Sequence, residues 1–323
     1  MTGKINLMNE LLKHGYSNRL TGTSLALKII NDLQNVLQEN NIDSFINKYL
    51  EIIHFLEKER PASMASWNIL RMVGEYVLSN GISGLSEYLQ YLKNKIERDS
   101  WEAAKIAANR VVDGDVLMTI SNSLAVRKMF KILVEEGVKF SVYVLESRPG
   151  MEGLDTASYL DSLGVKTYLI VDSAARFFMK KVKKVFVGAE AIAVNGAVVG
   201  KIGTSLLCLT ANEARVRVFV VAPLYKFSFE TIYGELIELP EGDWRLLMNE
   251  DVRKTLPENY SARAPLYDVT PPYLIDGIAT EYGLFAPQAV PVILRQVYGG
   301  FPPKLRPVNE IVKELVELRG EYR

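Results

Sequence analysis

Residues 184–190 read KVFVGAE, a short apolar run with β-branched residues that closes on a carboxylate, Glu190. Four further runs share this character: DVLMTIS (115–121), FSVYVLES (140–147), KTYLIVD (166–172) and VRVFVVAP (216–223). Runs that are apolar almost throughout are typical of strands buried on both faces of a parallel sheet. The five runs therefore predict the strands of one buried sheet.

Helical patterns fill the gaps between these predicted strands. They are SLAVRKMFKILVEEG (123–137), LDTASYLDSLG (154–164), AARFFMKKV (174–182) and TSLLCLTANEAR (204–215). Strands that alternate with helices of this length indicate a parallel sheet covered by helices on both faces. We therefore predict an α/β fold in which residues 111–323 form a doubly wound, Rossmann-like domain.

Residues 1–110 have helical periodicity instead, with apolar residues three and four apart. The clearest stretches are SLALKIINDLQNVLQ (24–38), DSFINKYLEIIHFLEK (43–58) and SEYLQYLKNKIE (86–97). They predict an all-helical N-terminal domain. The tail after Gly300 opens with prolines and continues as an amphipathic helix, for which we favour docking on its own domain over an oligomer or partner contact.

Composition excludes several classes of function. Lys and Arg together number 38, as do Asp and Glu, so there is no net basic charge to favour nucleic-acid binding. The N-terminal stretch MTGKINLMNELLKHG has no apolar signal core, and no apolar run reaches the roughly 18 residues that span a bilayer. We therefore expect a cytoplasmic protein without a membrane contact, which agrees with the single cysteine.

The chain also lacks the residues for several common kinds of site. One cysteine, Cys208, and two histidines, His14 and His54, cannot supply a His/Cys zinc cluster or a Ser-His-Asp triad in the α/β domain. No G-x-G-x-x-G follows a strand, and the spacing of NGAVVGKIG does not fit a P-loop. We expect neither a metal nor an organic cofactor, and chemistry carried by carboxylates, hydroxyls, Lys, Arg and backbone amides.

Polar residues follow four successive predicted strands. Ser121 and Asn122 follow the first, Arg148 lies after the second, Asp172 ends the third and Glu190 ends the fourth. Ligands of an open parallel sheet bind outside the carboxyl ends of its strands, where helix N-termini also attract anions. The strand ends, with Lys201 in GKIGT, therefore predict a site for an anionic ligand such as a phosphate.

Each of these residues also has a purely structural interpretation. Ser121 and Asp172 precede predicted helices and could serve as N-caps. Asn195-Gly196 is a common pair in hairpin turns, and the glycines of GKIGT could serve close packing alone. Only the four strand ends taken together indicate a ligand site.

Seven stretches resemble the family that unites the α, β and δ subunits of initiation factor 2B with two sugar-phosphate isomerases. These isomerases are methylthioribose-1-phosphate isomerase and archaeal ribose-1,5-bisphosphate isomerase. The stretches are ERPAS with Asn68, DGDVLMTISNS, VLESRPGMEG, LIVDSA, VFVGAEAIAVNGAVVGKIGT, VAPLYKF and YDVTPPYLIDGIATEYG. GELIEL and YDVTPPYLIDGI most resemble the archaeal ribose-1,5-bisphosphate isomerase branch. The resemblance implies a helical N-terminal domain before a Rossmann-like domain, and homodimers or higher homo-oligomers.

The resemblance also implies where a site lies. Ser121 falls at the position of the catalytic cysteine of the family isomerases, and Glu190 at the position of their catalytic aspartate. Together with the residues at and near the strand ends, the candidate ligand-binding residues are Thr21, Gly22, Arg60, Asn122, Arg148, Asn195, Gly196 and Lys201. Thr21-Gly22 stands where an arginine-containing phosphate-binding stretch is expected, so that arginine is missing.

These departures shape the expected function. A serine hydroxyl without a partner base is a far poorer proton acceptor than a thiol, and Glu for Asp adds one methylene. We therefore expect a non-catalytic, factor-2B-like protein that binds a sugar phosphate or AMP and acts through partners such as initiation factor 2. The alternative is a working ribose-1,5-bisphosphate isomerase that uses Glu190 as acid and another group as base. A helical scaffold without any ligand is a third, weaker possibility.

Overall fold

A computed structural model describes residues 20–234, 236–257 and 259–321. Its helices are α1 Gly22–Leu37, α2 Ile42–Glu59, α3 Met64–Asn80, α4 Leu85–Ala108, α5 Leu124–Glu135, α6 Gly153–Ser162, α7 Ala175–Met179, α8 Thr204–Glu213, α9 Glu250–Lys254, α10 Val290–Tyr298 and α11 Val308–Glu321. Its strands are β1 Asp115–Ile120, β2 Phe140–Leu145, β3 Lys166–Ile170, β4 Lys184–Val187, β5 Ala191–Ile192, β6 Val198–Lys201, β7 Arg217–Val221, β8 Glu241–Gly242, β9 Ala264–Pro265, β10 Tyr267–Thr270, β11 Gly277–Thr280 and β12 Gly283–Phe285.

The main sheet has seven strands in the order β12-β11-β7-β4-β1-β2-β3. Its strands pair in parallel, except that β12 runs antiparallel to β11. The five strands predicted from the sequence are β1, β2, β3, β4 and β7. The prediction of an α/β fold with a Rossmann-like parallel sheet is confirmed.

Alternate residues of each central strand face opposite layers, as a period of two requires. Leu117 and Phe186 belong to a core under α4 and α5, whereas Met118 and Val185 belong to a core under α7, α8 and α10. All four side chains are fully buried. Burial on both faces explains why the strands read as continuous apolar runs.

Helices α1 to α4 form a bundle with its own apolar core, in which Phe45, Tyr49 and Leu70 are inaccessible to solvent. Helix α4 packs against both the helical bundle and the main sheet. Its first half enters the bundle core, and Ala103, Ala104 and Ala107 pack against the sheet. The domain boundary at residue 110 stays a prediction.

The favoured interpretation of the tail was docking of the C-terminal helix α11 on the α/β domain. The structure places this helix elsewhere. Ile311 and Leu315, both inaccessible to solvent, enter the core of the helical bundle instead. An added Cβ on Gly74 of α3 would lie only 2.4 Å from Ile311 Cγ2, so the two helices are in close contact. The amphipathic pattern predicted the buried face but could not identify the surface that covers it.

A second, three-stranded antiparallel sheet has the order β10-β6-β5 and carries the chain past Glu190. Its β5–β6 connection is a turn in which Gly196 has φ +84° and Asn195 Oδ1 accepts a hydrogen bond from Ala197 N–H at 2.9 Å. In the part of the chain that the structure describes, no helix combines the length and the hydropathy needed to cross a membrane.

Candidate active site

The carboxyl ends of the adjacent strands β1 and β4 open into a cavity of about 420 Å³, part of which is open to solvent. Ser121 follows β1 and Glu190 follows β4 by three residues, so both reach this cavity. The lining residues are Thr21, Gly22, Ile120, Ser121, Asn122, Ser123, Gly188, Ala189, Glu190, Gly200, Lys201, Thr204, Lys226 and Tyr267.

Glu190 is held by the helical part of the chain. Its Oε1 accepts a hydrogen bond from Gly22 N–H at the start of α1 at 3.2 Å. Its Oε2 lies 3.6 Å from a guanidinium nitrogen of Arg60, whose side chain is buried. No described residue donates a hydrogen bond to Glu190 Oε2, although that atom is buried. A backbone N–H and a guanidinium are favourable partners of a carboxylate, and together they orient the Glu190 side chain at the cavity wall.

Ser121 sits in a fixed but uncommon backbone conformation, with φ +66°. Its N–H donates to Ser147 Oγ at 2.7 Å, and its carbonyl accepts from Thr156 Oγ1 at 2.7 Å. A positive φ in a residue other than glycine persists where surrounding contacts enforce it, often at functional sites. The N-cap of α5 is Ser123 rather than Ser121, because Ser123 Oγ accepts from Val126 N–H at 3.4 Å.

The side-chain amide of Asn122 is oriented by its neighbours. Arg127 Nη1 donates to Asn122 Oδ1 at 3.2 Å, and Thr156 Oγ1 lies 3.5 Å from the same oxygen. The Arg127 guanidinium is itself stacked over the Tyr159 ring, 3.9 Å from its centroid. Because donors occupy Oδ1, the NH2 group of Asn122 is the part that can bind a ligand oxygen.

Lys201 is a buried cation with a carboxylate partner. Its Nζ lies 2.7 Å from Glu152 Oε1, and both side chains are at least 90% buried. Burial acts to lower the pKa of Lys201, but the nearby carboxylates of Glu152 and Glu190 outweigh it and raise that pKa above its ordinary value. Lys201 therefore stays an ammonium group at the cavity wall, beside the Tyr267 ring.

Lys226 differs from Lys201 in its partner. It is 4% exposed, and its Nζ donates to the carbonyl oxygen of Ala189 at 2.6 Å. Burial lowers the pKa of Lys226, Arg60 lowers it further, and Glu190 opposes both. A buried lysine whose hydrogen bond goes to a neutral carbonyl can release its proton more readily than a solvated one.

Helix N-termini contribute to the cavity unequally. Those of α1 and α5 reach it through Gly22 and Ser123. The N-terminus of α8 is occupied by Asp268, whose carboxylate accepts hydrogen bonds from Gly203 and Ser205 N–H at 2.8 and 3.1 Å. Burial raises the pKa of Asp268 to about 6.

The structure brings together most of the sequence-predicted site residues. Six of them line the cavity: Thr21, Gly22, Ser121, Asn122, Glu190 and Lys201. Arg60 stands behind Glu190 as its ion-pair partner. Arg148 and the Asn195-Gly196 turn are not lining residues, because Arg148 donates to the carbonyl oxygens of Leu246 and Leu247 and the turn closes a hairpin.

Three residues that sequence reasoning did not single out belong to the site. They are Glu152, Lys226 and Tyr267, and they come from α6's N-cap, the turn after β7 and strand β10. All three fall within stretches that resemble the isomerase family, VLESRPGMEG, VAPLYKF and YDVTPPYLIDGI. Those stretches were the available signal, but nothing in them showed which side chains face a common cavity.

The fold and the cavity define a Rossmann-like α/β protein with a polar, lysine-lined pocket at the carboxyl ends of its strands. The chain belongs to the Initiation factor 2 subunit family, whose model matches residues 21–287. The resemblance drawn from the sequence motifs is thereby confirmed.

Relatives with an enzymatic name match most of the chain. The ribose 1,5-bisphosphate isomerase of Thermococcus kodakarensis is 38% identical over 272 residues, which cover 80% of this chain and 83% of the relative. That of Methanocaldococcus jannaschii is 36% identical over 85% of this chain and 88% of the relative. That of Pyrococcus furiosus is 40% identical over 68% of this chain and 66% of the relative.

Solved structures share the fold. The translation initiation factor eIF-2B of Pyrococcus horikoshii matches with a TM-score of 0.72 at 26% identity, over 87% of this chain and 97% of that one. The 5-methylthioribose 1-phosphate isomerase of the same organism matches with a TM-score of 0.69 at 22% identity, over 85% of this chain and 83% of that one. The second likeness concerns the fold alone.

The expectation of a non-catalytic, factor-2B-like protein is wrong. Six relatives at 32–40% identity over most of the chain carry the name ribose 1,5-bisphosphate isomerase, which favours the enzymatic alternative. The expectation relied on three departures from the family isomerases: serine at position 121, glutamate at position 190 and the missing arginine near Thr21-Gly22. It did not consider Lys226, which the fold brings into the same cavity.

Proposed function

We propose that this chain is an aldose–ketose isomerase that converts ribose 1,5-bisphosphate into ribulose 1,5-bisphosphate. The observation that carries the proposal is a cavity holding Glu190, Lys201 and Lys226 together, in a chain 36–40% identical to three relatives with this name. The cavity combines an acid–base carboxylate with cations that suit phosphate groups.

The reaction requires two proton transfers, one between carbon atoms and one between oxygen atoms of the sugar. The C1–O4 bond of the ribose ring breaks and O4 gains a proton, while a hydrogen leaves C2 and a hydrogen is added at C1. A base able to reach C2 and C1 on one face of the sugar can carry one proton between them. A second group must protonate O4 and then accept the proton of the C2 hydroxyl.

Glu190 is suited to the transfer between C2 and C1. Its Oε1 is fixed by Gly22 N–H and its Oε2 is buried beside Arg60, which holds the group as an oriented carboxylate. We therefore assign it the role of base in the first step, rather than the acid suggested by the sequence. A positioned proton-transfer group contributes roughly 10²–10⁴-fold in rate.

Phosphate binding falls to the cations and helix ends around the carboxylate. Lys201 stays charged through Glu152, and the N-terminus of α1 reaches the cavity at Thr21 and Gly22. The positive end of a helix dipole favours a phosphate, and a lysine adds a full positive charge. Ser121 and the Asn122 amide supply hydrogen bonds to the sugar oxygens.

Replacement of the carboxylate tests this function. The variant Glu190→Gln keeps the shape of the side chain but cannot accept a proton, so we expect kcat for ribulose 1,5-bisphosphate formation to fall at least about a hundredfold. The matched control is Glu57→Gln on the exposed face of α2, which should keep wild-type activity. Equal activity of Glu190→Gln and the control would contradict the assignment.

A thermal-shift screen tests the pocket separately from turnover. Ribose 1,5-bisphosphate should raise the melting temperature of the wild-type chain, because a ligand that binds only the folded state stabilises it. AMP is included because the sequence left it open as a ligand. A homo-oligomer and binding to initiation factor 2 stay predictions, to be checked by light scattering and by copurification.

A further inference from the structure

We infer that Lys226 is the second proton-transfer group of the site, the one that protonates O4 and later accepts the proton of the C2 hydroxyl. This inference rests on the proposed isomerase function and adds a catalytic residue to it. Lys226 lies in the cavity wall with Ser121 and Glu190, and its Nζ contacts the carbonyl of Ala189, the residue before Glu190. The two groups therefore border the same space.

The backbone around Lys226 is rigidly held. The Asn68 side-chain amide donates to the carbonyl oxygens of Tyr225 at 3.0 Å and of Phe227 at 2.9 Å, on either side of the lysine. Leu224 N–H donates to Glu281 at 3.0 Å. A proton donor fixed in this way loses little orientational freedom when a substrate binds, which favours catalysis over simple charge binding.

The other polar groups of the cavity are less suited to this role. Lys201 is paired with Glu152 at 2.7 Å, which stabilises its ammonium form. Burial raises the pKa of Tyr267, with a further contribution from Glu190, so its phenol is a weak acid. None of the described lining residues is a histidine or a second carboxylate that could activate the Ser121 hydroxyl.

The surroundings of Lys226 favour proton release. The charged groups that act on it are Glu190, which stabilises the ammonium, and Arg60, which destabilises it, while burial at 4% exposure disfavours the charge. The balance lowers its pKa below that of an ordinary lysine. An acid of lowered pKa transfers its proton to a leaving oxygen more easily at neutral pH.

The two groups complete a balanced cycle. The Lys226 ammonium gives a proton to O4 as the C1–O4 bond breaks. Glu190 takes the proton from C2, and the electron pair of the C2–H bond forms the C1=C2 bond of an enol. Lys226 amine then takes the C2 hydroxyl proton as the C2 carbonyl forms, and the C1=C2 pair takes the proton from Glu190. The carboxylate and the ammonium are restored, without any thiol.

Variants at Lys226 separate proton transfer from charge. Lys226→Gln should lower kcat at least about a hundredfold with a smaller change in KM. Lys226→Arg should lower kcat similarly, because a guanidinium keeps the charge but does not release its proton. Small primary amines should restore part of the activity of Lys226→Ala. The matched control is Lys254→Gln, where the lysine is 75% exposed.

The outcomes distinguish this inference from the proposed function. A wild-type chain that folds but forms no ribulose 1,5-bisphosphate would defeat the function itself. If the wild type is active, a kcat of Lys226→Gln within threefold of the wild-type value would overturn the role of Lys226 but not the proposed function. A wild-type kcat in Lys226→Arg would do the same. If circular dichroism shows that the variants do not fold, the pH dependence of the wild-type kcat tests the role instead. The wild-type kcat should fall at alkaline pH with an apparent pKa below about 10.4, the ordinary value for lysine. A kcat that rises through that range would overturn the role.

Discussion

The backbone N–H of Gly22 donates to the carboxylate of Glu190 at 3.2 Å, across 168 residues of sequence. This hydrogen bond joins the first turn of α1 to the end of β4, so the helical part of the chain completes a site built on the sheet. It also uses the positive end of a helix to orient a carboxylate. The helical bundle therefore contributes directly to the candidate active site.

The Gly22–Glu190 contact leaves no room for a side chain. A Cβ at residue 22 would lie 2.5 Å from Glu190 Oε2, so Gly22→Ala must displace the carboxylate. A displacement on the order of 1 Å can cost about a hundredfold in rate, and we expect kcat to fall by roughly 10–100-fold. Gly300→Ala, where a Cβ would meet nothing within 4 Å, is the control. Equal kcat values for the two variants would contradict the contact.

Removal of the carboxylate partner of Lys201 should destabilise the protein. Glu152→Gln leaves a buried ammonium without its counter-ion, and breaking such a pair costs about 3–5 kcal/mol of unfolding free energy. Asp251→Asn, in an ion pair whose side chains are 75% and 91% exposed, should cost less than about 1 kcal/mol. Urea denaturation measures both, and equal losses would show that Lys201 does not depend on Glu152.

A half-buried acid, Glu281, makes stability depend on pH. Burial raises the pKa of Glu281 to about 7, whereas an unfolded glutamate ionises near pH 4.3. Between these values the folded state retains the additional proton, so this group lowers stability as pH rises from about 4 to 7.

The variant Glu281→Gln cannot ionise and still offers an oxygen to Leu224 N–H. We expect its melting temperature to exceed that of the wild type by a few degrees at about pH 8, and by much less at about pH 4. Glu57→Gln, on the exposed face of α2, should show no such dependence. A difference in melting temperature that stays constant from about pH 4 to pH 8 would contradict the raised pKa of Glu281.

The C-terminal helix should stabilise the helical bundle. Leu315 is inaccessible to solvent in the bundle core, so Leu315→Ala should lower the free energy of unfolding by about 2–5 kcal/mol. Its neighbour Val316 is 48% exposed, and Val316→Ala should change stability by about 0.5 kcal/mol or less. Guanidinium denaturation compares them, and a Leu315→Ala loss as small as that of Val316→Ala would mean that α11 is not docked here.

The strand pattern carried the sequence-based prediction of fold and of part of the site. Because parallel strands end at one edge of a sheet, the residues after β1 and β4 had to lie close together, and Ser121 and Glu190 do so. Arg148 also follows a strand of the sheet, but its guanidinium donates hydrogen bonds to the carbonyl oxygens of Leu246 and Leu247. Those carbonyls belong to a segment without regular periodicity, whose path the sequence does not determine.

Long-range contacts explain the rest of what the sequence could not predict. Lys226 comes to Glu190 because Asn68 holds its turn from α3, and no local pattern encodes that hydrogen bond. The expectation of a non-catalytic protein fails for the same reason: it weighs the replacements at Ser121, Glu190 and Thr21-Gly22 from the sequence, whereas Lys226 joins them only in the folded cavity.

The most direct test of the proposed isomerase function is incubation of the wild-type chain with ribose 1,5-bisphosphate, followed by phosphorus NMR. We expect conversion to ribulose 1,5-bisphosphate at an ordinary enzymatic rate, on the order of 1–10³ s⁻¹. The absence of ribulose 1,5-bisphosphate from a folded protein that binds the substrate would contradict it.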